Sequence, residues 1–232
     1  MYAKSAIIKF TMVGNPEIKL LESRVRRKPQ ARFGEGYTEK GRLCYLAGYL
    51  LYTTDGRKIG LDQRLINPDL PDEPGSKVNT CIDNVFRIWT DTAEIRGTQL
   101  VFCDFSTPKN DGSFNVYDDI KQKLIAKGVP EEQIAFIHDA TNEVKREELF
   151  SKVRSGEIRV LIGSTSKMGA GTNVQDRLVA SHDLDAPYRP ADMEQRRGRM
   201  VRQGNKNSKV HLYRYCTKDT FDAYLFVRHE VA

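Results

Sequence analysis

The chain reads as an α/β protein: a parallel sheet with helices on both faces, preceded by an N-terminal extension. Three observations predict it. From about residue 76 onward, short apolar runs of strand length alternate with amphipathic stretches of helical period. The apolar runs are nearly continuous, as strands buried on both faces are. And the stretch Asn67-Pro68-Asp69-Leu70-Pro71-Asp72-Glu73-Pro74-Gly75, rich in proline, acid and glycine, divides the 232 residues near residue 75. Residues 1–75 are therefore read as an extension and linker, and 76–232 as one α/β domain.

The elements follow in order. Residues 1–40 show no clear periodicity. Residues 43–52 (LCYLAGYLLY) form an apolar run that fits helix or strand, and Thr54-Asp55-Gly56 signals a turn. Val78, Ile82, Val85, Phe86 and Trp89 share one helical face, predicting a helix over 78–95. Gln99–Phe105 reads as a buried strand. Val116, Ile120 and Leu124 line a helix over 116–127; Asp118 and Asp119 lie in its first turn and Gly128 just past its end. Ile134–His138 is a second strand. A helix over Asn142–Arg154 buries Leu149, Phe150 and Val153. Ile158–Gly163 and Val179–Leu184 are further strands. Pro190–Arg202 is a helix, with Pro190 suited to its first turn and Asp192 and Glu194 favourable at its N-terminus. Lys209–Cys216 is a strand, and Thr220–His229 a closing helix.

Composition narrows the class. Hydrophobic residues make up 39% and charged residues 29%, as in soluble globular proteins. No run reaches the about 18 apolar residues of a membrane span, and the N-terminus MYAKSAIIKF has no apolar core of a signal peptide. Cys44, Cys81, Cys103 and Cys216 are far apart and form no C-x-x-C pair. They point to a reducing, cytoplasmic setting rather than to zinc or a disulfide framework. His138, His182, His211 and His229 lack ligand spacing, so no metal site is expected. The net charge is +6, and its distribution says more than its size. Six basic and no acidic residues lie between Gln195 and Lys209. That pattern suits a nucleic acid, because neutralising phosphates releases counterions. A second cluster, Arg24, Arg26, Arg27, Lys28 and Arg32, fits either a solvated tail, a protein contact or the same polyanion.

Three segments carry chemistry. Gln195-Arg196-Arg197-Gly198-Arg199-Met200-Val201-Arg202 puts Gln195, Arg199 and Arg202 on one helical face. Forked guanidinium donors match phosphate oxygens, although a solvated basic face gives the same pattern. Gly198 costs the helix about 1 kcal/mol and hints at a close approach by backbone or ligand. Ser164-Thr165-Ser166-Lys167-Met168-Gly169-Ala170-Gly171-Thr172-Asn173 follows a strand directly, with glycines for sharp turns, hydroxyls and a lysine for phosphate. Asp185-Ala186-Pro187-Tyr188-Arg189-Pro190 leads from the next strand into the arginine helix. In open parallel sheets, working groups gather at the carboxyl ends of the strands, where both loops fall. A G-x-x-x-x-G-K-[ST] phosphate loop is nowhere in the chain.

These segments resemble, in order and spacing over residues 76–230, the C-terminal RecA-like lobe of superfamily-two helicases, and within them the Swi/Snf-type double-stranded DNA translocases. Gln99–Phe105 matches the opening strand. Phe136-Ile137-His138-Asp139 with Arg146 and Phe150 matches the following unit. Ser164, Thr165, Gly169, Gly171 and Asn173 match the "S-T…G-x-G-x-N" loop, and Gln195, Gly198, Arg199 and Arg202 the "Q-x-x-G-R-x-x-R" helix, approached through Asp185, Pro187 and Pro190. The stretches 55–68, 97–108, 116–128 and 194–205 further resemble the helicase region of large methylase–helicase proteins of phages and conjugative elements. No D/N-P-P-[YFW] methylase box is present.

The resemblance implies a lobe of an ATP-dependent DNA motor. ATP and Mg would be bound mainly by an N-terminal lobe, joined in cis or trans. Arg199 and Arg202 would act as arginine fingers on the transferring phosphoryl group, oriented by Gln195. Gly169, Gly171, Asn173 and Arg196 would serve the nucleotide side of the cleft. Ser164, Thr165 and Lys167 would meet the nucleic-acid backbone, duplex DNA in preference to a single strand. Ser164 and Thr165 as strand terminators, and Asn173 as a helix cap, are plainer readings. Lacking a phosphate loop and an acidic magnesium box, the chain alone is expected to be silent toward ATP. A nucleic-acid-binding module without ATPase activity, and an inactive interaction lobe, are the other classes compatible with these residues.

Overall fold

A computed structural model describes residues 5–13, 54–109, 111–168, 173–187, 189–200, 204–217 and 220. Six strands form one sheet: β1 Ser5–Val13, β2 Thr98–Phe102, β3 Ile134–Phe136, β4 Val160–Gly163, β5 Leu178–Asp183 and β6 Lys209–Thr217. Their order is β1-β6-β5-β2-β4-β3, and every pairing is parallel. The helices are α1 over 54–61, α2 Lys77–Asp91, α3 Val116–Ala126, α4 Glu143–Ser155 and α5 Pro190–Met200. The α/β parallel sheet read from the sequence is the observed fold.

Two apolar layers sandwich the sheet. Val101, Cys103, Val160, Ile162, Tyr213 and Tyr215 face one layer with α2 and α3. Leu100, Phe102, Leu161, Val210 and Leu212 face the other with Phe150 and Val153 of α4. Alternate residues of a strand point to opposite faces, so both sets are apolar, which is why the strands read as unbroken hydrophobic runs.

The helix ends obey local chemistry. Ser76, Asn115 and Asn142 are N-caps, each accepting a hydrogen bond from the backbone N–H three residues on. Gly156 closes α4 at φ 78°, where a Cβ would also press on Arg96.

Several boundaries differ from the sequence expectations. Thr54-Asp55-Gly56 is helical, not a turn. The segment buries Arg57 and Leu61 and donates no turn of its own; the Gly60 carbonyl instead accepts from Thr217 Oγ1 at 2.9 Å. Tertiary packing overrides the turn preference of this triplet. β2 stops at Phe102 rather than Phe105, because the N–H groups of Asp104 and Phe105 donate to Asp185 Oδ2 at 2.5 and 3.0 Å instead of to a strand. β3 stops at Phe136, and Ile137–Asp139 turns as a 3-10 helix packed against Gly163, where a Cβ would fall 2.5 Å from Ile137 Cγ2. β1 lies in a stretch without readable periodicity; it pairs along β6 from Ser5↔Lys209 to Val13↔Thr217. The 43–52 run, the cluster around Arg26 and the helix expected over Thr220–His229 lie outside the described residues, Thr220 excepted.

The loop over 67–75 is tied down at one end. Arg64 pairs with Asp62, Asp72 and Asp119 at 2.7, 3.1 and 3.0 Å and lies over the Phe114 ring. Lys123 adds pairs to Asp72 and Asp119.

A buried polar chain crosses the sheet beneath α2. Gln99 Nε2 donates to the Val85 carbonyl at 2.9 Å, so its Oε1 accepts from His182 Nε2 at 3.0 Å. His182 Nδ1 then accepts from the Tyr215 hydroxyl at 2.8 Å, which itself receives Asn84 Nδ2 at 3.2 Å. His182 stacks on Tyr213 and Tyr215. Burial, with the nearby Arg87 cation, pushes its pKa down to about 3. The unfolded chain therefore binds a proton that the folded chain refuses, and stability from this group falls as pH drops below about 6.5. Between pH 6.5 and 5 the loss is on the order of 2 kcal/mol. Urea-unfolding midpoints of wild type and His182→Asn across that range check it: the variant should show a shallower pH slope, and parallel slopes would refute the assignment.

Candidate functional site

Four neighbouring strands, β5, β2, β4 and β3, release their chains at the carboxyl edge of the sheet, and their loops line one pocket of about 430 Å³. Asp104 and Thr107 come from the loop after β2 and His138 from the turn after β3. Ser164, Thr165, Ser166 and Lys167 come from the loop after β4, and Asp192 and Gln195 from α5, which follows β5. The chain passes from β4 on one side of β2 to β5 on the other, so β2 marks the reversal of strand order at which open α/β sheets bind ligands.

Arg196 holds this edge together. It is fully buried, and all five of its donors are used. Nε donates to Thr165 Oγ1 at 2.8 Å. Nη1 donates to Asp183 Oδ1 at 3.1 Å and to the Asp185 carbonyl at 2.9 Å. Nη2 donates to Asp104 Oδ2 at 2.9 Å and to Asp185 Oδ1 at 3.3 Å. Burial works against its charge, but Asp183, Asp185 and Asp104 outweigh it and hold the guanidinium above its ordinary pKa. The Phe102 ring lies 4.9 Å away. Only a planar five-donor fork can join three loops and a helix in this way.

The expected site residues separate into three groups. Arg196, expected on the nucleotide side, is enclosed by protein, since its donors all point at carboxylates, a carbonyl and a hydroxyl of the lobe itself. Thr165 also turns inward: its N–H and hydroxyl donate to Asp104 at 2.6 and 2.7 Å. Ser164 is buried, with its Oγ 3.1 Å from Ser166 Oγ. In contrast Lys167, Ser166 and Gln195 are exposed, and all three line the pocket. Asn173 is exposed, and its carbonyl accepts from Arg154 Nη1 at 3.0 Å. Gly169, Gly171 and Arg202 lie outside the described residues. Arg199 belongs to α5, but its side chain does not lie among the described ones. Gly198 is exposed, and a Cβ there would meet nothing within 4 Å among the described residues.

Sequence reading gave no site role to Asp104, Asp183, His138 or Asp192, although it placed His138 in a matched segment and Asp192 at a helix start. The available signal was an aspartate at the carboxyl end of an otherwise apolar strand, seen after both β2 and β5. His138 is half-buried, its Nε2 3.5 Å from the Tyr117 hydroxyl, and burial together with Lys167 lowers its pKa.

The sequence has no phosphate loop, and no group of three His, Cys, Asp or Glu among the described residues is arranged to hold a metal ion. The described residues form a polar pocket lined by the loops after β2, β3 and β4, with the arginine-bearing α5 at its wall.

A parallel sheet with helices on both faces and a polar pocket at its carboxyl edge defines the class as an open α/β lobe. The chain belongs to the helicase conserved C-terminal domain family, whose model matches residues 77–204. It is 31% identical over 78 residues to the "Defense against restriction protein B" of Escherichia phage P1, covering 34% of this chain and 3% of that protein. Among solved structures it is similar to the DUF1998 helicase MrfA bound to DNA, at 17% identity and TM-score 0.46, covering 65% of this chain and 20% of that one. It is also similar to the C-terminal domain of the DEAD-box protein Dbp5, at 16% identity and TM-score 0.45, covering 64% and 78%. The chain thus spans a small fraction of the phage relative and of the first of these helicases.

Proposed function

We propose that the chain is the C-terminal lobe of an ATP-dependent, Swi/Snf-type DNA translocase or helicase, of the kind found in large phage and conjugative-element proteins. The observation that supports this best is the pocket built from four consecutive strand ends, walled by a helix carrying Gln195, Arg196 and Arg199 in the family's order. Lys167, Ser166 and the free edge of the Ser164 turn face a nucleic-acid backbone. Contacts of this kind track phosphates without reading bases. An N-terminal lobe, in cis or in trans, holds ATP and Mg; Arg199 and Arg202 reach the transferring phosphoryl group. Arg196 touches neither. It fixes α5, the helix that carries Arg199. No helix among the described residues is long and apolar enough to cross a membrane.

The test is duplex-DNA binding across a salt series. Wild type should bind, with affinity falling steeply as salt rises, and Lys167→Ala should flatten the log–log slope by about one. Binding should survive Arg199→Ala/Arg202→Ala. Loss of binding in that double variant would favour the second reading, a basic nucleic-acid module without ATPase activity, for which the six basic residues between Gln195 and Lys209 speak. No binding by any variant would defeat both. The same preparation, assayed alone, should show no ATP turnover above background; turnover at motor rates of about 1 per second or more would refute the division of labour.

A further inference from the structure

The segment before the loop at 67–75 reaches the carboxyl edge through one side chain. Arg57 of α1 is 3% exposed. Its guanidinium lies 3.8 Å over the Phe105 ring and donates to the Ala186 carbonyl. Phe105 belongs to the loop after β2, and Ala186 to the loop after β5 that opens α5 four residues later. Both loops are those that Arg196 grips from the other side through Asp104 and Asp185. Asp185 also receives the N–H groups of Asp104 and Phe105. The entrance to the arginine helix is thus clamped twice: by Arg196 from within, and by Arg57 from a segment 129 residues away in sequence.

We infer that Arg57 is a positioning residue for the arginine helix, setting its angle against the strand ends and so the placement of Gln195 and Arg199. This rests on the translocase reading. A planar cation stacked on one loop and bonded to another fixes their spacing, which apolar packing does less sharply. The docking of α1 does not depend on this contact. Leu61 is buried in the core, Gly60 accepts from Thr217, and Arg64 is paired with three carboxylates. Arg57 can therefore be changed with the segment still seated.

The experiment measures DNA-stimulated ATP turnover of the full protein, upstream lobe present, for wild type, Arg57→Lys, Arg57→Ala and Arg64→Ala. Arg57→Ala should lower kcat roughly ten- to a hundredfold, as small misplacements of reacting groups do, with KM for ATP little changed, and it should lower the thermal midpoint somewhat, as any truncation of a buried side chain does. Arg57→Lys keeps the charge but not the stacked plane and should recover only part of kcat. Arg64→Ala, which loosens the same segment elsewhere, should lower the thermal midpoint and spare kcat. Amide exchange at residues 184–187 should quicken in Arg57→Ala and not in Arg64→Ala. Equal kcat losses in Arg57→Ala and Arg64→Ala, or an unchanged kcat in Arg57→Ala, would overturn the inference while leaving the translocase reading intact. Wild-type protein that turns over no ATP with its upstream lobe present overturns both, and quickened exchange would then mark a structural contact only.

Discussion

Arg196→Ala lowers the stability of the chain by about 3–5 kcal/mol, the cost of stranding buried charge when one partner of a buried ion pair is removed. The guanidinium satisfies Asp104, Asp183 and Asp185 at once, and the last two are almost fully buried. Burial already pushes the Asp183 carboxyl upward, with Arg196 and Arg214 pulling against it. Without Arg196 these carboxylates must take up protons or open the site to water. Either response undoes the joint between Thr165, the loop after β2 and α5. A domain of this size is stable by only about 5–15 kcal/mol, so the loss is a large part of the whole. Arg196→Lys should not rescue it, because three donors on a flexible stem cannot replace five in a plane. Urea unfolding checks the magnitude. Adding Asp183→Asn to Arg196→Ala should recover part of the loss, since it removes a stranded charge. A loss under about 1 kcal/mol, typical of exposed pairs, would mean that the charges are not held as described.

The second large effect is catalytic and belongs to the proposed translocase. Arg199→Ala/Arg202→Ala should reduce ATP turnover of the two-lobed protein by roughly 10³–10⁵-fold, the range for removing an arginine finger. Folding should be spared, in contrast to Arg196→Ala. Arg196 anchors α5, so Arg199, one turn further along, is carried by a helix rather than a loop. A site held rigidly loses less to reorganisation when charge develops on a phosphoryl group. Single-turnover kinetics with saturating DNA separates this from weaker binding. A change in KM for ATP with kcat unaltered would assign the two arginines to ground-state binding instead.

The two clamps on α5 explain why neighbouring arginines of one helix have different fates. On the sequence, Arg196, Arg197, Arg199 and Arg202 are chemically equivalent. In the fold, Arg196 faces the strand ends and is buried, while Arg197 is partly exposed and 3.6 Å from Glu194. Helical period alone separates faces but does not say which face meets the sheet.

Much of the architecture was legible because its causes are local. Near-continuous apolar runs identified β2, β4 and β5, since burial on both faces demands apolar residues at every position. Gly128 marked the end of α3 because closing a helix is settled within a few residues, whereas the caps at Asn115 and Asn142 emerged only in the fold. The placing of Ser164–Lys167 and Gln195 at one carboxyl edge followed from the parallel sheet itself. Other features depended on residues far apart in the chain, and no local signal carried them. The helix over 54–61 exists against a turn-forming triplet because Leu61 finds the core and the Gly60 carbonyl finds Thr217 at the end of β6. β1 became a strand by finding β6, two hundred residues away. His182 is neutral and Arg196 saturated because of what the fold brings around them. The sequence alone determined β2 to β6, α2 to α5 and the edge at which their loops gather, all set by local periodicity and burial. Only the tertiary structure decided that β1 is a strand, that residues 54–61 are helical and that Arg196 is buried with its charge paired, because burial and pairing of charge are properties of contacts between distant segments.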